Sequence, residues 1–319
     1  MLAHEEKGMK KKTIFIIIGV SVIIIVGLFV ATKILSSQIS RVMEHELNAF
    51  LQSQNTQDIQ LEYDPFVCEG STTIVCKTTQ LTINKNLETL DIESLDKQFD
   101  PKILHFSDLV VSFGGSKTQA NIEIESDIAV LGKQFHAKCM NAINFVDSML
   151  DTNVTCNAQA GDMQSVADTH LAFIHPSFQS STLHEIIKMF KDTQQRDVVL
   201  QDLEVMPISD HISLKSPSLK ESLRAFYGAS EEDMQFYSVM FAIIESSYQQ
   251  AQNSQTKELD NAIANMARIL SDVCIDDKIQ EIWYDMHTKT PQVSFKWKDI
   301  FQMSPVDIQT HFSLDFGKR

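Results

Sequence analysis

The chain has 319 residues, room for one large domain or two small ones, with a formal net charge of −15. Lys7, Lys10, Lys11 and Lys12 against Glu5 and Glu6 give the first twelve residues a net charge of +2, which leaves −17 on the rest. A body that acidic repels nucleic acid and anionic lipid headgroups, so no nucleic-acid partner is expected.

Thr13–Thr32 contains no charge and no proline. At about 1.5 Å per residue it reaches roughly 30 Å, the thickness of a bilayer core. Residues 1–12 then form a cytoplasmic tail, 13–32 a single transmembrane signal anchor contacting the lipid bilayer, and the lysine bias exports the remainder of the chain. A cleaved signal peptide competes with this reading, but the apolar run is long, and Phe29 stands where a small residue is wanted before Ala31. Over 33–57 the pattern is amphipathic. Leu35, Ile39, Met43, Leu47 and Phe50 make a stripe three or four residues apart, which predicts a juxtamembrane helix packing on the body. A two-stranded coiled coil is the alternative, but the stripe covers barely two heptads.

From residue 58 the period changes to two. Ile59, Leu61 and Tyr63 predict a first strand, Val75–Ile83 a second and Leu90–Leu95 a third. Leu109, Val111 and Phe113 lead into a turn at Gly114–Gly115 and return through Ala120, Ile122 and Ile124. Phe135, Ala137 and Cys139 share one face, as do Val154, Cys156 and Ala158, and a hairpin through Asp147–Ser148 sets Cys139 opposite Cys156. Cys68 and Cys76 bracket a turn at Glu69–Thr73, predicting a second disulfide. Cys274 is left over. Metal binding is the alternative for these cysteines, but neither pair has a Cys-x-x-Cys knuckle. His170–His175 closes this run of strands.

Thr182–Glu185 reads as a capping box, followed by a strand near Val198–Val205. Residues 216–273 are helical. A short helix opens at Ser216–Pro217–Ser218 and ends near Gly228, and a long one is capped by Ser230–Asp233. Past a polar break at Gln252–Thr256 comes a third carrying Leu259–Val273. Two antiparallel helices covering the apolar side of the sheet is the simplest arrangement, and one continuous projecting helix also fits. Residues 274–319 return to strands at Ile282–Met286, Val293–Trp297 and, with the cleanest alternation of all, Val306–Phe316. The expected class is α+β, with an antiparallel sheet and helices packed on it in one exported unit, 58–319.

Chemistry is sparse. His184-Glu185-Ile-Ile-Lys188 begins like a zinc-protease helix but carries lysine where the second ligand belongs. His170 and His175 point to opposite faces, and Ser94–Lys97 lacks the companion motifs of penicillin-recognising enzymes. Asp276–Asp277 and Glu231–Asp233 read as solvated acidic turns and a helix N-terminus, and neither has the run of oxygen ligands and the glycine of a calcium loop. No catalytic, cofactor-binding or metal residue is therefore assigned and no cofactor is expected. An envelope hydrolase would have to assemble scattered groups such as His105, Asp108 and His136. Asn153, in Asp151-Thr-Asn-Val-Thr155, is a candidate glycosylation acceptor in an expected exported turn.

A basic tail, an uncleaved anchor, a juxtamembrane helix and long alternating strands together resemble the YdgA-like and AsmA-like envelope proteins of Gram-negative bacteria. The local echo is Leu61-Glu-Tyr63 leading through Gly70-Ser-Thr into Gln80-Leu-Thr-Ile83, with short units at Asp91-Ile92 and Asp202-Leu-Glu-Val205. The resemblance spans about residues 10–210, while the paired cysteines and the helices at 216–273 depart from it. It implies the bacterial inner membrane with the body in the periplasm, and a role in envelope homeostasis or lipid movement. For a non-enzymatic protein there are two expectations. A lipid-transfer protein predicts a groove whose apolar face stays uncovered, whereas a scaffold predicts that the helices at 216–273 close that face and expose a surface for an envelope protein partner.

Overall fold

In the computed structural model of the chain, the described residues are 39–53, 59–71, 73–85, 103–116, 118–130, 133–147, 149–181, 185–186, 189, 193–250, 255–291, 293–300 and 302–319. The anchor at 13–32, the strand at Leu90–Leu95, Ser94–Lys97 and most of the helix begun at Thr182 lie outside them. No helix among the described residues is long and apolar enough to cross a membrane.

The class is α+β, built on one antiparallel sheet of twelve strands among the described residues. Eight strands form an uninterrupted meander: β3 (Ile74–Lys85), β4 (Ile103–Gly115), β5 (Gln119–Val130), β6 (Lys133–Val146), β7 (Met149–Ala160), β8 (Met163–Ile174), β9 (Glu204–Lys215) and β10 (Glu281–Thr288). Short turns join β4 through β8, where neighbour-to-neighbour pairing follows directly, while helical segments occupy the β8–β9 and β9–β10 connections. One edge carries β1 (Ile59–Tyr63) and β2 (Val67–Glu69), both paired with β3. Pro65, which has no N–H to give a ladder, lies between these two strands, and the Thr78 hydroxyl donates to the Asp64 carbonyl at 2.6 Å. The other edge is β12 (Phe312–Lys318), paired with β10, while the two-residue β11 (Phe295–Lys296) extends the ladder on β9.

A bulge at Asp108, whose φ is +50°, shifts the β4–β5 register between Ser107 and Val110. The extra residue keeps Phe106 opposite Ile128 on the same face as Leu109 and Val111.

Helix α1 (Ile39–Ser53) lies on β2 and β3, burying Met43 and Leu47 as its stripe predicts. Asn48 fixes it by accepting from Phe66 N at 2.8 Å and donating to Phe66 O at 3.1 Å. Glu44 accepts from Cys68 N at 3.0 Å. With Phe178 and Ile186, helix α1 covers the main core, formed by Ile74, Cys76, Phe113, Ile122, Ile143 and Leu150.

Five expectations about the fold change. The strand expected near Val198–Val205 is helix α2 (Thr193–Asp202) followed by β9. Val199 on the helix and Leu203 just past its end are buried in the main core while Val198 is exposed, so packing on the core overrides the strand preference of the β-branched run. Gly114 and Gly115 end β4, opposite Asn121 and Ala120, so the turn lies beyond them and is closed by Ser116 N donating to Gln119 O.

The last apolar alternation splits into α7 (Pro305–His311) and β12. Here Ser304 and Asp307 form a full capping box with Pro305 in the first turn, and those local signals override the alternation. Likewise only Phe295–Lys296 of the expected Val293–Trp297 strand is extended, and α6 (Trp297–Ile300) follows.

Among the described residues the helical region holds three elements: α3 (Leu219–Tyr227), α4 (Glu231–Gln250) and α5 (Lys257–Ile275). Ser218 caps α3, and Gly228 ends it in the left-handed region at φ +65°. Ser230 and Asp233 form the box at the start of α4. α4 and α5 are an antiparallel pair, since Ser238 early in α4 bonds Ser271 late in α5. The pair does not cover the sheet face. α5 packs on edge strand β12, where Asn265 donates to Phe316 O, and α4 packs on α5.

Candidate functional site

Antiparallel residues that face each other across a ladder present their side chains to the same side. Following the register from strand to strand gives Cys68, Cys76, Val111, Ile124, Cys139, Cys156, Ala167, Ile212, Tyr284 and Phe316 as one continuous row. Ten strands contribute and no member carries a charge. Both disulfides, Cys68–Cys76 and Cys139–Cys156, lie in this row. The hairpin geometry read from the sequence is the geometry found.

Burial changes along the row. Cys76 and Val111 are buried under α1, Ile124, Cys139, Cys156 and Ala167 are half-buried, and Ile212 is 42% exposed. An isoleucine that open on an inner strand is unusual, because inner-strand apolar side chains normally meet a second layer. The floor around it is low: Ala137, Cys139, Cys156, Ala158, Ser165 and Ala167 are neighbours on β6, β7 and β8. Small side chains leave room that bulkier ones would fill.

Walls rise at both ends of these strands. At one end stand the core side chains Ile143, Leu150 and Phe178. At the other, α3 crosses the face, with Leu219 and Leu223 on Leu214 and Ile282, and the Phe226 ring 5.5 Å from Phe135. The result is a trough over β5–β9.

Few polar groups line it. Asn141 is only 8% exposed, and neither its amide nitrogen nor its oxygen has a hydrogen-bond partner among the described residues. In the same row Thr169 donates to the Asp210 carboxylate at 2.6 Å. The Tyr284 phenol is pushed up to about 12, first by burial and then by the carboxylates of Asp210 and Asp285. Polar character thus collects at the β9–β10 end, beside an apolar floor.

The opposite face is polar and carries cross-strand pairs. His136 bonds Asp127 at 2.9 Å, His170 bonds Asp151 at 2.7 Å, and His211 bonds Asp285 at 2.6 Å. Ser209 lies directly across from His170, so serine, histidine and aspartate occur on adjacent strands. Their setting is the interior of a ladder, where backbone N–H groups pair with neighbouring strands and cannot converge on a developing oxyanion. The scattered hydrolase candidates do not assemble: His105 bonds Thr82 at 2.8 Å, His136 bonds Asp127, and neither histidine bonds Asp108 in the β4 bulge.

Asn153 is exposed on this polar face, inside β7 between Ala142 and His170, rather than in the expected turn. His184 and Lys188 lie outside the described residues. Among the described residues no group of three or more His, Cys, Asp or Glu side chains is placed to hold a metal.

The acidic stretches have structural partners. Glu231 pairs with Lys220 at 2.6 Å and Arg224 at 3.3 Å, Asp277 lies 3.4 Å from Lys220, and Asp276 accepts from Lys278 N. Cys274 is a buried free thiol, its pKa pushed up by burial. A separate cleft of about 340 Å³ between α5, α7 and β12 has a mixed lining, with Asn261, Asn265 and Asp315 beside Leu259, Phe312 and Leu314. There Gln309 caps α5 by accepting from Glu258 N and Leu259 N.

Sequence reading identified the two small-residue strand segments at Phe135–Cys139 and Val154–Ala158. It missed Ser165 and Ala167 on β8, whose alternation of small apolar and polar side chains was the available signal. Comparison with protein-family models yields no match, and no curated protein matches the chain.

Proposed function

We propose that this chain is a non-enzymatic envelope protein, held in the bacterial inner membrane by residues 13–32, whose periplasmic body holds an apolar, lipid-like ligand in the trough over β5–β9. The observation that carries the reading is the open middle of the apolar row, where Ile212 is 42% exposed between half-buried Ala167 and Tyr284. Two disulfides suit an oxidising compartment, and the acidic body suits separation from anionic headgroups. The architectural resemblance to the YdgA-like and AsmA-like proteins points the same way. Asp210 on the same face favours an uncharged ligand over an anionic one.

The test is mass spectrometry of organic extracts from the full-length protein purified out of membranes. Wild type is expected to carry lipid in stoichiometric amounts. Ala167→Phe, which raises the trough floor, is expected to carry several-fold less while keeping both disulfides. Absence of lipid from wild type, or equal loading of the variant, refutes the trough as the binding site.

A further inference from the structure

Helix α4 has two apolar sides. Met234 and Ser238 face α5 and are buried. About half a turn away around the helix, Phe236, Val239, Met240 and Ile243 are 66%, 59%, 38% and 62% exposed. Their spacing is that of a helix–helix seam. No charged residue occurs from Met234 to Ile244, and α4 contains no lysine or arginine. A stripe this apolar on a solvated helix marks an interaction surface.

We propose that this stripe joins two copies of the chain through an antiparallel α4–α4 contact about a two-fold axis near Met240. The stripe is one helix wide, which fits a second helix better than a flat surface. Being uncharged, it matches an identical uncharged stripe, and a second copy supplies one with the same spacing.

Taking roughly 150–250 Å² for a large apolar side chain, the exposed parts of these four residues come to at most roughly 450 Å² per copy. A pair buries at most roughly 900 Å², the size of a weak contact and below the roughly 1,000 Å² of an interface that holds in free solution. With residues 13–32 as the anchor, confinement of both copies to one membrane raises their effective concentration, so a contact of this size suffices.

Orientation is set by charge. Glu231, Glu232 and Asp233 form the first turn of α4, so a parallel pair would stack two acidic turns and two like helix ends. An antiparallel pair sets each acidic turn near the uncharged Tyr248–Gln250 end of its partner. The same acidic turn opposes docking on an anionic bilayer.

The experiment is oxidative cross-linking of full-length Met240→Cys in native membranes. Wild type, whose free thiol is the buried Cys274, and Val67→Cys, on exposed β2 at the far sheet edge, are the controls. Met240→Cys is expected to give several-fold more disulfide-linked homodimer than Val67→Cys, and adding Ile243→Glu is expected to abolish the excess. Ile243 is exposed, so that change leaves the fold intact, checked by retention of both native disulfides.

Dimer yields equal to those of Val67→Cys, a cross-link to a different protein, or a yield unchanged by Ile243→Glu would each overturn the proposal. Fractionation of the same cells reports the anchor independently. Protein found in the soluble fraction refutes the anchor, while the cross-link yield still decides the dimer.

Discussion

Removing each disulfide separates two physical effects. In the chain-entropy description the Cys139–Cys156 bridge, with a sequence separation of 17, contributes about 3.1 kcal/mol. The Cys68–Cys76 bridge, with a separation of 8, contributes about 2.5 kcal/mol. Loop closure alone therefore ranks the longer bridge first by about 0.6 kcal/mol.

Burial reverses the order. Cys68 and Cys76 are 8% and 0% exposed under α1, whereas Cys139 and Cys156 are half-buried on the trough floor. Truncating two buried side chains to alanine adds transfer and cavity costs of about 1 kcal/mol each. The double variant Cys68→Ala/Cys76→Ala is therefore expected to lose about 4–5 kcal/mol, against about 3 kcal/mol for Cys139→Ala/Cys156→Ala. At about 2–4 °C per kcal/mol for a body of this size, Tm falls by about 8–20 °C and about 6–12 °C respectively. Urea unfolding followed by circular dichroism, with the m-value checked for constancy, measures both. If Cys139→Ala/Cys156→Ala proves the more destabilising, loop closure dominates and the burial argument is wrong.

Three further outcomes are expected. A Cβ on Gly317 would lie 2.1 Å from the Trp283 ring that covers it, so Gly317→Val is expected to cost about 1–3 kcal/mol and to shift tryptophan fluorescence. Asn141→Leu removes a buried amide without partners among the described residues and is expected to stabilise the ligand-free body by about 1–3 kcal/mol in the same unfolding assay; a loss of stability would mean the amide is satisfied.

Burial lowers the pKa of His175, with a smaller opposing pull from Asp202, and its neutral ring accepts from Ser177 N at 3.1 Å. A depressed folded-state pKa means that its contribution is complete above the ordinary value of 6.5 and is lost as pH falls through the lower folded value. His175→Asn should flatten stability across that window, and an unchanged slope would remove His175 as its source.

Much of this molecule was legible because its signals are local. The period-two runs of the meander, the Ser218 and Ser230 caps, Gly228 and the stripe of α1 each depend on neighbours within a few residues. Even the disulfides come from hairpin register, which is set by strand alternation and turn length. Where reading failed, two local signals competed. Val306–Phe316 alternates like a strand, yet Ser304, Pro305 and Asp307 start a helix, which gives way to a strand at Phe312. Nothing in the Val198–Val205 alternation reveals that Val199 and Leu203 roof a core assembled from strands far away in sequence.

By itself the sequence determined the apolar face, the two covalent staples and the placement of most strands and helices, because side-chain alternation and capping act over one or two turns of chain. Only the tertiary structure decided which part of that face is covered. The α4–α5 pair could have lain across the sheet, but α5 takes edge strand β12 instead, leaving Ile212 open and turning Phe236 and Ile243 outward. That choice depends on contacts such as Asn265 with Phe316 and Gln309 with the first turn of α5, which join segments about fifty residues apart. Hydrophobic periodicity says that a surface will be buried; which surface meets which is settled by long-range packing.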